Sequence, residues 1–221
     1  MRNTVSLNSA WEFYKNTADV TALSGGETVN LPHSWNATDG QDGGNDYFRG
    51  TCIYTKKLIK SELPSAERYY LEIRGANSSA DVYVNGEKLA HHDGGYSTWR
   101  VDITDKLGET AELAIAVDNA PNDRVYPQMA DFTFYGGLYR DVNLICVPAT
   151  HFELDYFGTP GIKVTPTVKD NGASVEVEVY TTELGADDEI VYTVCQADGA
   201  VVGEFSAKDK VHTFDISDVH L

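Results

Sequence analysis

Two segments rich in aromatic rings and side-chain amides hold the residue types that could do chemistry in this chain. Residues 31–36 read Leu-Pro-His-Ser-Trp-Asn, and residues 126–137 read Tyr-Pro-Gln-Met-Ala-Asp-Phe-Thr-Phe-Tyr-Gly-Gly. Sugars are bound by such sets, because a ring face covers the apolar side of a pyranose while Asn and Asp hydrogen-bond its paired hydroxyls. On composition alone we favour the plainer alternative, in which these rings fill the ends of a β-sandwich.

Metal-binding, nucleophilic and phosphate-binding motifs are weak or missing in the sequence. Residues 39–46 are rich in Asp and Gly, as in a calcium loop, but the bidentate glutamate that ends such a loop is missing. His91 and His92 are adjacent on a predicted strand, so their side chains point to opposite faces and cannot easily share one metal ion. The sequence contains no nucleophile elbow and no phosphate-binding glycine loop. With 34 acidic residues, no particular pair of carboxylates can be identified as catalytic from the sequence. We therefore expect no catalytic residue and no metal site.

Strands must position the two segments, since apolar residues alternate with polar ones along much of the chain. The alternation is clear in residues 69–74, 80–84, 111–117 and 175–179, and no window shows the spacing of an amphipathic helix. Asn85-Gly86 follows one of these runs and predicts a two-residue hairpin turn, because both positions need a positive φ angle. The sequence therefore predicts an all-β fold, and a sandwich suits it better than a parallel α/β sheet.

Charge and cysteine content narrow the class of protein further. The chain has 221 residues, with 17 Lys and Arg against 34 Asp and Glu, and a formal net charge of −17. Nucleic acids and anionic membranes attract clustered basic residues, so neither is an expected partner. The sequence has no apolar run of about 18 residues and no signal-peptide pattern. Cys52, Cys146 and Cys195 form no CxxC pair, so we expect three buried thiols and a cytoplasmic protein.

A change in composition near residue 148 predicts two domains. All three tryptophans lie in residues 1–148, whereas residues 149–221 contain plainer strands in which Val alternates with Glu. The second segment has about 70 residues, fewer than the roughly 100 of an immunoglobulin-like sandwich. We therefore expect a complete sandwich over residues 1–148 and a second, C-terminally truncated one over residues 149–221.

A series of short motifs follows one order along the first segment. These motifs are Leu31-Pro32-His33-Ser34-Trp35-Asn36, Tyr47-Phe48-Arg49-Gly50, Asp81-Val82-Tyr83-Val84-Asn85-Gly86, Gly94-Gly95-Tyr96, Val101-Asp102-Ile103-Thr104, Val117-Asp118-Asn119 and Gly136-Gly137-Leu138-Tyr139-Arg140-Asp141-Val142. In this order and spacing they resemble the N-terminal sugar-binding domain of glycoside hydrolase family 2, which includes β-galactosidases, β-glucuronidases and β-mannosidases. Residues 149–221 resemble most of the immunoglobulin-like domain that follows in this family.

This resemblance implies a fold and an activity for the protein to which the chain belongs. It implies a jelly-roll sandwich followed by a partial immunoglobulin-like sandwich, both preceding a (β/α)8 barrel that holds the two catalytic glutamates of a retaining hydrolase. The chain alone should then be inactive and should help to shape the sugar site of that barrel. The full-length protein would cleave β-galactosides or β-glucuronides in carbohydrate metabolism and would be a homo-oligomer.

The resemblance also implies sugar contacts for two residues. Asp131 matches a family aspartate that contacts the substrate's hydroxyls, and Asn36 matches an asparagine that contacts the sugar. Arg140, Gly136 and Gly137 would support the loop that carries Asp131. No cofactor is expected for the chain, with sodium or magnesium implied only for the intact enzyme. A free-standing carbohydrate-binding module and a structural spacer domain are the alternatives.

Overall fold

β-Strands make up almost all of the regular structure, which confirms the all-β prediction. The computed structural model describes residues 1–39, 46–126, 129–130, 132–169 and 172–217. Within these ranges, no helix is long and apolar enough to span a membrane.

The first of two compact units, Met1–Pro148, is a β-sandwich. Its strands are β1 (Asn3–Ser6), β2 (Trp11–Tyr14), β3 (Glu27–Val29), β4 (Thr51–Ile59), β5 (Arg68–Ile73), β6 (Ser79–Val84), β7 (Glu87–Asp93), β8 (Trp99–Asp102), β9 (Thr110–Asp118) and β10 (Val142–Val147), with single 3-10 turns at Lys60–Glu62 and Thr104–Lys106. One antiparallel sheet has the order β1-β10-β5-β8, and the other has the order β3-β2-β4-β9-β6-β7. Both sheets contribute side chains to a single hydrophobic core.

Alternation along the strands builds this core between the two sheets. Leu71 and Ile73 of β5 and Val82 and Val84 of β6 are completely buried and belong to the same apolar cluster. Because successive side chains of a strand point to opposite faces, each strand gives every second residue to the core. The three tryptophans also belong to this cluster, so the first unit has the apolar interior that the sequence predicts.

The turn between β6 and β7 has the predicted geometry. Asn85 has a φ angle of 53° and Gly86 one of 81°, so both lie in the left-handed region. The Asn85 side chain accepts a hydrogen bond from the backbone N–H of Glu112 at 2.9 Å and donates one to the carbonyl of Lys106 at 3.0 Å. These bonds fix the turn to the rest of the unit, and the predicted hairpin is confirmed.

The outer face of β5 carries a buried charge that strand alternation does not predict. Glu72 lies opposite the core-facing residues of its strand, yet its side chain is only 4% exposed. Its carboxylate accepts bonds from Arg100 on β8 at 2.7 and 2.8 Å, from Asn143 on β10 at 3.1 Å and from Arg74 at 3.2 Å. Burial alone would raise the pKa of Glu72, but these hydrogen bonds and positive charges hold it below its usual value.

The second compact unit, Ala149–Leu221, is also built of strands. They are β11 (Ile162–Lys169), β12 (Gly172–Val179), β13 (Ile190–Cys195), β14 (Val201–Ala207) and β15 (Val211–Ser217). One sheet has the order β11-β12-β15, and β13 pairs with β14 in another. The run of alternating Val and Glu lies in β12, as predicted. A buried cluster of Val179, Ile190 and Tyr192 provides the core.

The three cysteines differ in exposure, which corrects one expectation. Cys52 and Cys146 are completely buried, and burial raises the pKa of both thiols, that of Cys52 to about 11. Cys195 is exposed. Along β13 it shares its face with Val191 and Thr193, which are also exposed, whereas Ile190 and Tyr192 on the opposite face are buried. The expectation of three buried thiols is therefore wrong for Cys195.

We expect a single cysteine to react when the folded chain is treated briefly with a maleimide. Cys195 should be modified first, because the attacking species is the thiolate and burial protects Cys52 and Cys146. Mass spectrometry should show one adduct on the native chain, none on Cys195→Ser and three on the denatured chain. Rapid modification of Cys52 or Cys146 in the folded protein would contradict this assignment.

Candidate functional site

Three loops of the first unit meet around a cavity of about 290 Å³, the aromatic pocket. The pocket is lined by Asn77, Tyr96, Phe132, Thr133, Phe134, Tyr135 and Tyr139. These residues come from the β5–β6, β7–β8 and β9–β10 loops, each of which crosses between the two sheets. The crossings bring together residues that are distant in sequence. Most of the lining comes from the predicted aromatic segment, residues 126–137, which we call the aromatic loop.

The rings of the aromatic pocket contact one another and still keep open faces. Tyr96 stacks on Tyr126 with ring centroids 5.1 Å apart, and the Phe132 and Phe134 centroids are 5.0 Å apart. Tyr96, Phe132 and Tyr135 are 55%, 62% and 48% exposed, respectively. Clustered exposed rings mark binding surfaces, and their faces suit the apolar side of a sugar. Three of these rings therefore present open faces to solvent and do not only fill the end of the sandwich.

Asn77 ties the aromatic loop to the loop between β5 and β6. Its side chain is buried; Nδ2 donates to the carbonyl of Tyr135 at 2.8 Å, and Oδ1 accepts from the Tyr126 hydroxyl at 3.1 Å. Its backbone N–H donates to the carbonyl of Gly137 at 3.2 Å. Sequence reasoning missed Asn77, because a single amide just before a strand has no distinguishing pattern.

Burial raises the pKa of two tyrosine hydroxyls at the aromatic pocket. Burial is the main cause that raises the pKa of Tyr126, and the Tyr96 hydroxyl adds to it; burial also raises the pKa of Tyr139. The Tyr139 hydroxyl donates to the carbonyl of Gly95 at 2.5 Å. Since each phenol has one proton, and the Tyr126 and Tyr139 protons are already donated to Asn77 and Gly95, these oxygens are left as acceptors for a sugar hydroxyl.

Asn36 is a buried support of the aromatic loop. Its Nδ2 donates to Oδ2 of Asp39 at 3.0 Å and to the carbonyl of Phe48 at 2.9 Å. Its Oδ1 accepts from the backbone N–H of Gly136 at 2.8 Å and from Nδ2 of Asn119 at 3.1 Å. These four bonds fill the hydrogen-bonding capacity of the amide, and the residue is 0% exposed. This geometry gives Asn36 a structural role, and the sugar contact that the resemblance implies stays a prediction.

Gly136 and Gly137 let the aromatic loop approach the segment around Trp35 closely. A Cβ atom on Gly136 would lie 2.2 Å from Cζ2 of Trp35. One on Gly137 would lie 2.6 Å from the carbonyl oxygen of His33 and 2.8 Å from the Tyr54 hydroxyl. Gly137 also has a φ angle of +117°, which side chains disfavour strongly. Both positions therefore require glycine for the loop to keep this path.

Arg140 holds the loop between β7 and β8. Its Nη1 donates to the carbonyl of Tyr96 at 2.9 Å and to that of Arg74 at 3.4 Å. Its guanidinium carbon lies 5.2 Å from the centroid of the Tyr139 ring. These contacts hold the β7–β8 loop at the aromatic pocket, and the predicted support of the loop that carries Asp131 stays a prediction. The physical reason for these contacts is that a guanidinium fork pairs readily with loop carbonyls.

Asp131, the predicted sugar contact, lies outside the described residues, as do residues 40–45 of the calcium-like stretch. Its chain neighbours Ala130 and Phe132 are both exposed, and Phe132 lines the aromatic pocket. Phe132 therefore connects Asp131 with the aromatic pocket through the chain. The role of Asp131 as a sugar contact stays a prediction.

The described part of the chain contains no group of three or more His, Cys, Asp or Glu side chains placed to hold a metal ion. His91 and His92 point to opposite faces of β7, as predicted. His91 contacts the carboxylates of Asp81 and Asp93, whereas the His92 ring stacks on Trp99 with centroids 4.9 Å apart.

The two-sheet fold and the sequence of its central part define the class of the first unit. Residues 45–134 match the family model described as "Glycosyl hydrolase 2 galactose-binding domain-like". The first unit is accordingly a galactose-binding-like β-sandwich.

Relatives with enzyme names extend the match over nearly the whole chain. A β-glucuronidase of Bacteroides fragilis is 35% identical over 91% of this chain and 29% of its own length. A β-galactosidase of Thermoanaerobacter pseudethanolicus is 29% identical over 88% of this chain and 25% of its own length. An FMN-binding β-glucuronidase from Faecalibacterium prausnitzii L2-6 has a crystal structure that superposes on this chain with a TM-score of 0.88 and 38% sequence identity. The match covers 100% of this chain and 34% of that one.

The chain belongs to glycoside hydrolase family 2. It spans between a quarter and about a third of the length of these relatives.

Proposed function

We propose that this chain is the non-catalytic, sugar-binding N-terminal portion of a retaining glycoside hydrolase. In this proposal the aromatic pocket and Asp131 form one wall of the substrate site, and a (β/α)8 barrel elsewhere in the full-length protein supplies the two catalytic carboxylates. The substrate would be a β-glucuronide or a β-galactoside, as the names of the relatives suggest. We take the β-glucuronide as the first to test, because Asn36, which had favoured a galactoside, has no free hydrogen-bonding group.

The aromatic pocket is the observation that carries this proposal. It combines exposed ring faces with tyrosine hydroxyls, and four of its lining residues follow Asp131 directly in the same loop. The rings would cover the apolar side of the substrate, while the carboxylate of Asp131 would accept two hydroxyl hydrogen bonds. Hydrogen bonds to a charged group are roughly twice as strong as neutral ones. Orientation of the substrate, rather than bond cleavage, is the chemistry that such a wall supplies.

The second unit and the cellular setting complete the proposal. We assign residues 149–221 to part of an immunoglobulin-like sandwich, which its two small antiparallel sheets support. A cytoplasmic, homo-oligomeric full-length enzyme is proposed on the family resemblance. Sodium or magnesium would serve only the intact enzyme.

Substitution of Asp131 tests the proposal. In the full-length protein, Asp131→Ala should lower kcat/KM for p-nitrophenyl β-glucuronide or β-galactoside about tenfold or more, the effect of losing one good charged hydrogen bond. Asp105→Ala, which removes an exposed carboxylate from a 3-10 turn, is the matched control and should leave kcat/KM unchanged. Equal kinetics for the two variants would refute the assignment of Asp131.

A free-standing carbohydrate-binding module is the second candidate, because the ring faces are exposed without any partner. The two candidates differ in the behaviour of the isolated chain at the aromatic pocket. A module should bind glucuronides or galactosides there with micromolar to millimolar Kd, and Phe132→Ala should abolish binding. A wall of a larger site should show no measurable binding at that pocket.

A further inference from the structure

The outer face of the six-stranded sheet is organised in rows by the strand register. One row crosses β4, β9, β6 and β7 through Thr51, Asp118, Ser79 and Asp93, in that order. The next row runs through Ile53, Ala116, Asp81 and His91, and the third runs through Thr55, Ala114, Tyr83 and Lys88. Since residues opposite each other in antiparallel strands share a face, polar and aromatic side chains adjoin two alanines here.

A cavity of about 330 Å³ lies on this face, within the first unit and separate from the aromatic pocket. Its lining includes Thr51, Asp81, Tyr83, His91, Ala116 and Asp118, together with Ala18 and residues 120–122 and 124. Because the side chain of Ala116 is only a methyl group, space remains between its larger neighbours on the sheet. The segment after β9 forms one side of this cavity. Small-molecule sites begin at about 300 Å³, so the cavity suits one sugar-sized ring.

A network of paired charges rims this outer-face cavity. His91 bridges two carboxylates, with Nδ1 2.5 Å from Oδ1 of Asp81 and Nε2 3.1 Å from Oδ2 of Asp93. Nζ of Lys88 lies 2.8 Å from Oδ2 of Asp81, and Nε of Arg124 lies 3.0 Å from Oδ2 of Asp93. The hydrogen bonds to both carboxylates raise the pKa of His91, which favours its charged form.

Charges of both signs line and rim this cavity. Asp118 lies in the same row as Asp93 and is bonded by the Thr51 hydroxyl at 2.5 Å and the Ala120 N–H at 2.6 Å. With Asp81 and Asp93 it makes three carboxylates, which face His91 and the two basic side chains of the network. A ligand with a net charge of either sign would therefore meet like charges at close range. A neutral ligand with many hydroxyl groups would find both donors and acceptors.

We propose that the outer-face cavity is a second saccharide site that holds one neutral pyranose ring. The Tyr83 ring and the Ala116 methyl group would contact the apolar side of the sugar. Asp81 and Asp118 would accept hydrogen bonds from its hydroxyls, while Arg124 and Asn122 would donate to them. The two cavities share the β9–β10 loop but no lining residue, so this site is separate from the proposed substrate wall.

Titration of the 221-residue chain with simple sugars tests the proposal. The probes are methyl β-galactoside, methyl β-glucoside and methyl α-mannoside, with glucuronic acid as the charged comparison. We expect at least one neutral glycoside to bind with millimolar Kd, because a single ring makes few contacts. In NMR spectra it should shift the amide signals of Tyr83, Ala116 and Asp118, and glucuronic acid should bind more weakly.

Two leucine variants on the same sheet face separate binding from folding. Ala116→Leu fills the cavity and should weaken binding about tenfold or more, whereas Thr55→Leu adds the same side chain outside the lining and should change Kd less than about twofold. Asp81→Asn gives a second test if Ala116→Leu does not fold. Asp131→Ala should leave this binding intact, which separates the site from the proposed substrate wall.

The proposal is overturned if no neutral glycoside shifts these amide signals or if glucuronic acid binds more tightly than the neutral sugars. It is also overturned if the two leucine variants bind equally well, or if Asp131→Ala abolishes binding.

Discussion

Gly137→Ala is expected to lower the free energy of unfolding of the first unit by about 3 kcal/mol or more. Two effects add at this position. The added Cβ would lie 2.6 Å from the His33 carbonyl oxygen and 2.8 Å from the Tyr54 hydroxyl, and alanine disfavours a φ angle of +117°. Tyr54 is completely buried, so its hydroxyl cannot move away without disturbing the core.

Two other glycines provide matched controls for this variant. Gly86 has a φ angle of +81° but open space around its Cβ position, so Gly86→Ala should cost only the backbone strain, about 1 kcal/mol. Gly108 has neither a positive φ angle nor a close contact, so Gly108→Ala should be nearly neutral. Urea unfolding followed by circular dichroism should rank the three in this order. Equal stabilities for the Gly137 and Gly86 variants would show that the loop moves freely away from His33.

Glu72→Gln is expected to be comparably destabilising at neutral pH, by about 3 kcal/mol. The Glu72 and Arg100 side chains are 4% and 5% exposed, and removing one partner of a buried ion pair leaves a charge without its counter-charge. Glu87→Gln is the matched control, because the Glu87–Lys106 pair is exposed, and it should cost less than about 0.5 kcal/mol.

The effect of Glu72 should depend on pH in a defined direction. The folded pKa of Glu72 is lowered, so its contribution to stability is complete above the unfolded value of about 4.3 and is lost as the pH falls through the folded value. The difference in unfolding free energy between the wild-type chain and Glu72→Gln should therefore shrink below about pH 4. A difference that stays constant on acidification would mean that the Glu72 carboxylate contributes nothing through its charge.

Strand alternation predicts the inner face of the fold well and its outer face poorly. Leu71 and Val82 are buried because side chains alternate between the two faces of a strand and theirs point towards the core. Asn85-Gly86 forms the predicted turn because both residues tolerate the positive φ angles that it requires. Glu72 is polar and therefore looks exposed in sequence, but its burial depends on Arg100 and Asn143, which lie 28 and 71 residues further along the chain. Local patterns contain no information about such distant partners.

In the candidate site, too, local sequence patterns predict some features and miss those that depend on distant partners. The aromatic loop could be recognised from its composition, since rings beside amides are unusual outside strands. The roles of Asn36 and Asn77 could not, because an asparagine that binds a sugar and one that holds a loop look identical until their hydrogen-bond partners are known. Arg140 likewise reads as a support, but only the folded chain shows that the carbonyl it holds belongs to Tyr96.

The confinement of all three tryptophans to the first unit has a practical consequence for these measurements. Trp11, Trp35 and Trp99 are 0%, 7% and 9% exposed, whereas the second unit contains tyrosines and no tryptophan. Selective excitation of indole emission therefore follows the melting of the first unit alone, while circular dichroism records both. Comparing the two signals would reveal whether the units melt together or in sequence, without cutting the chain.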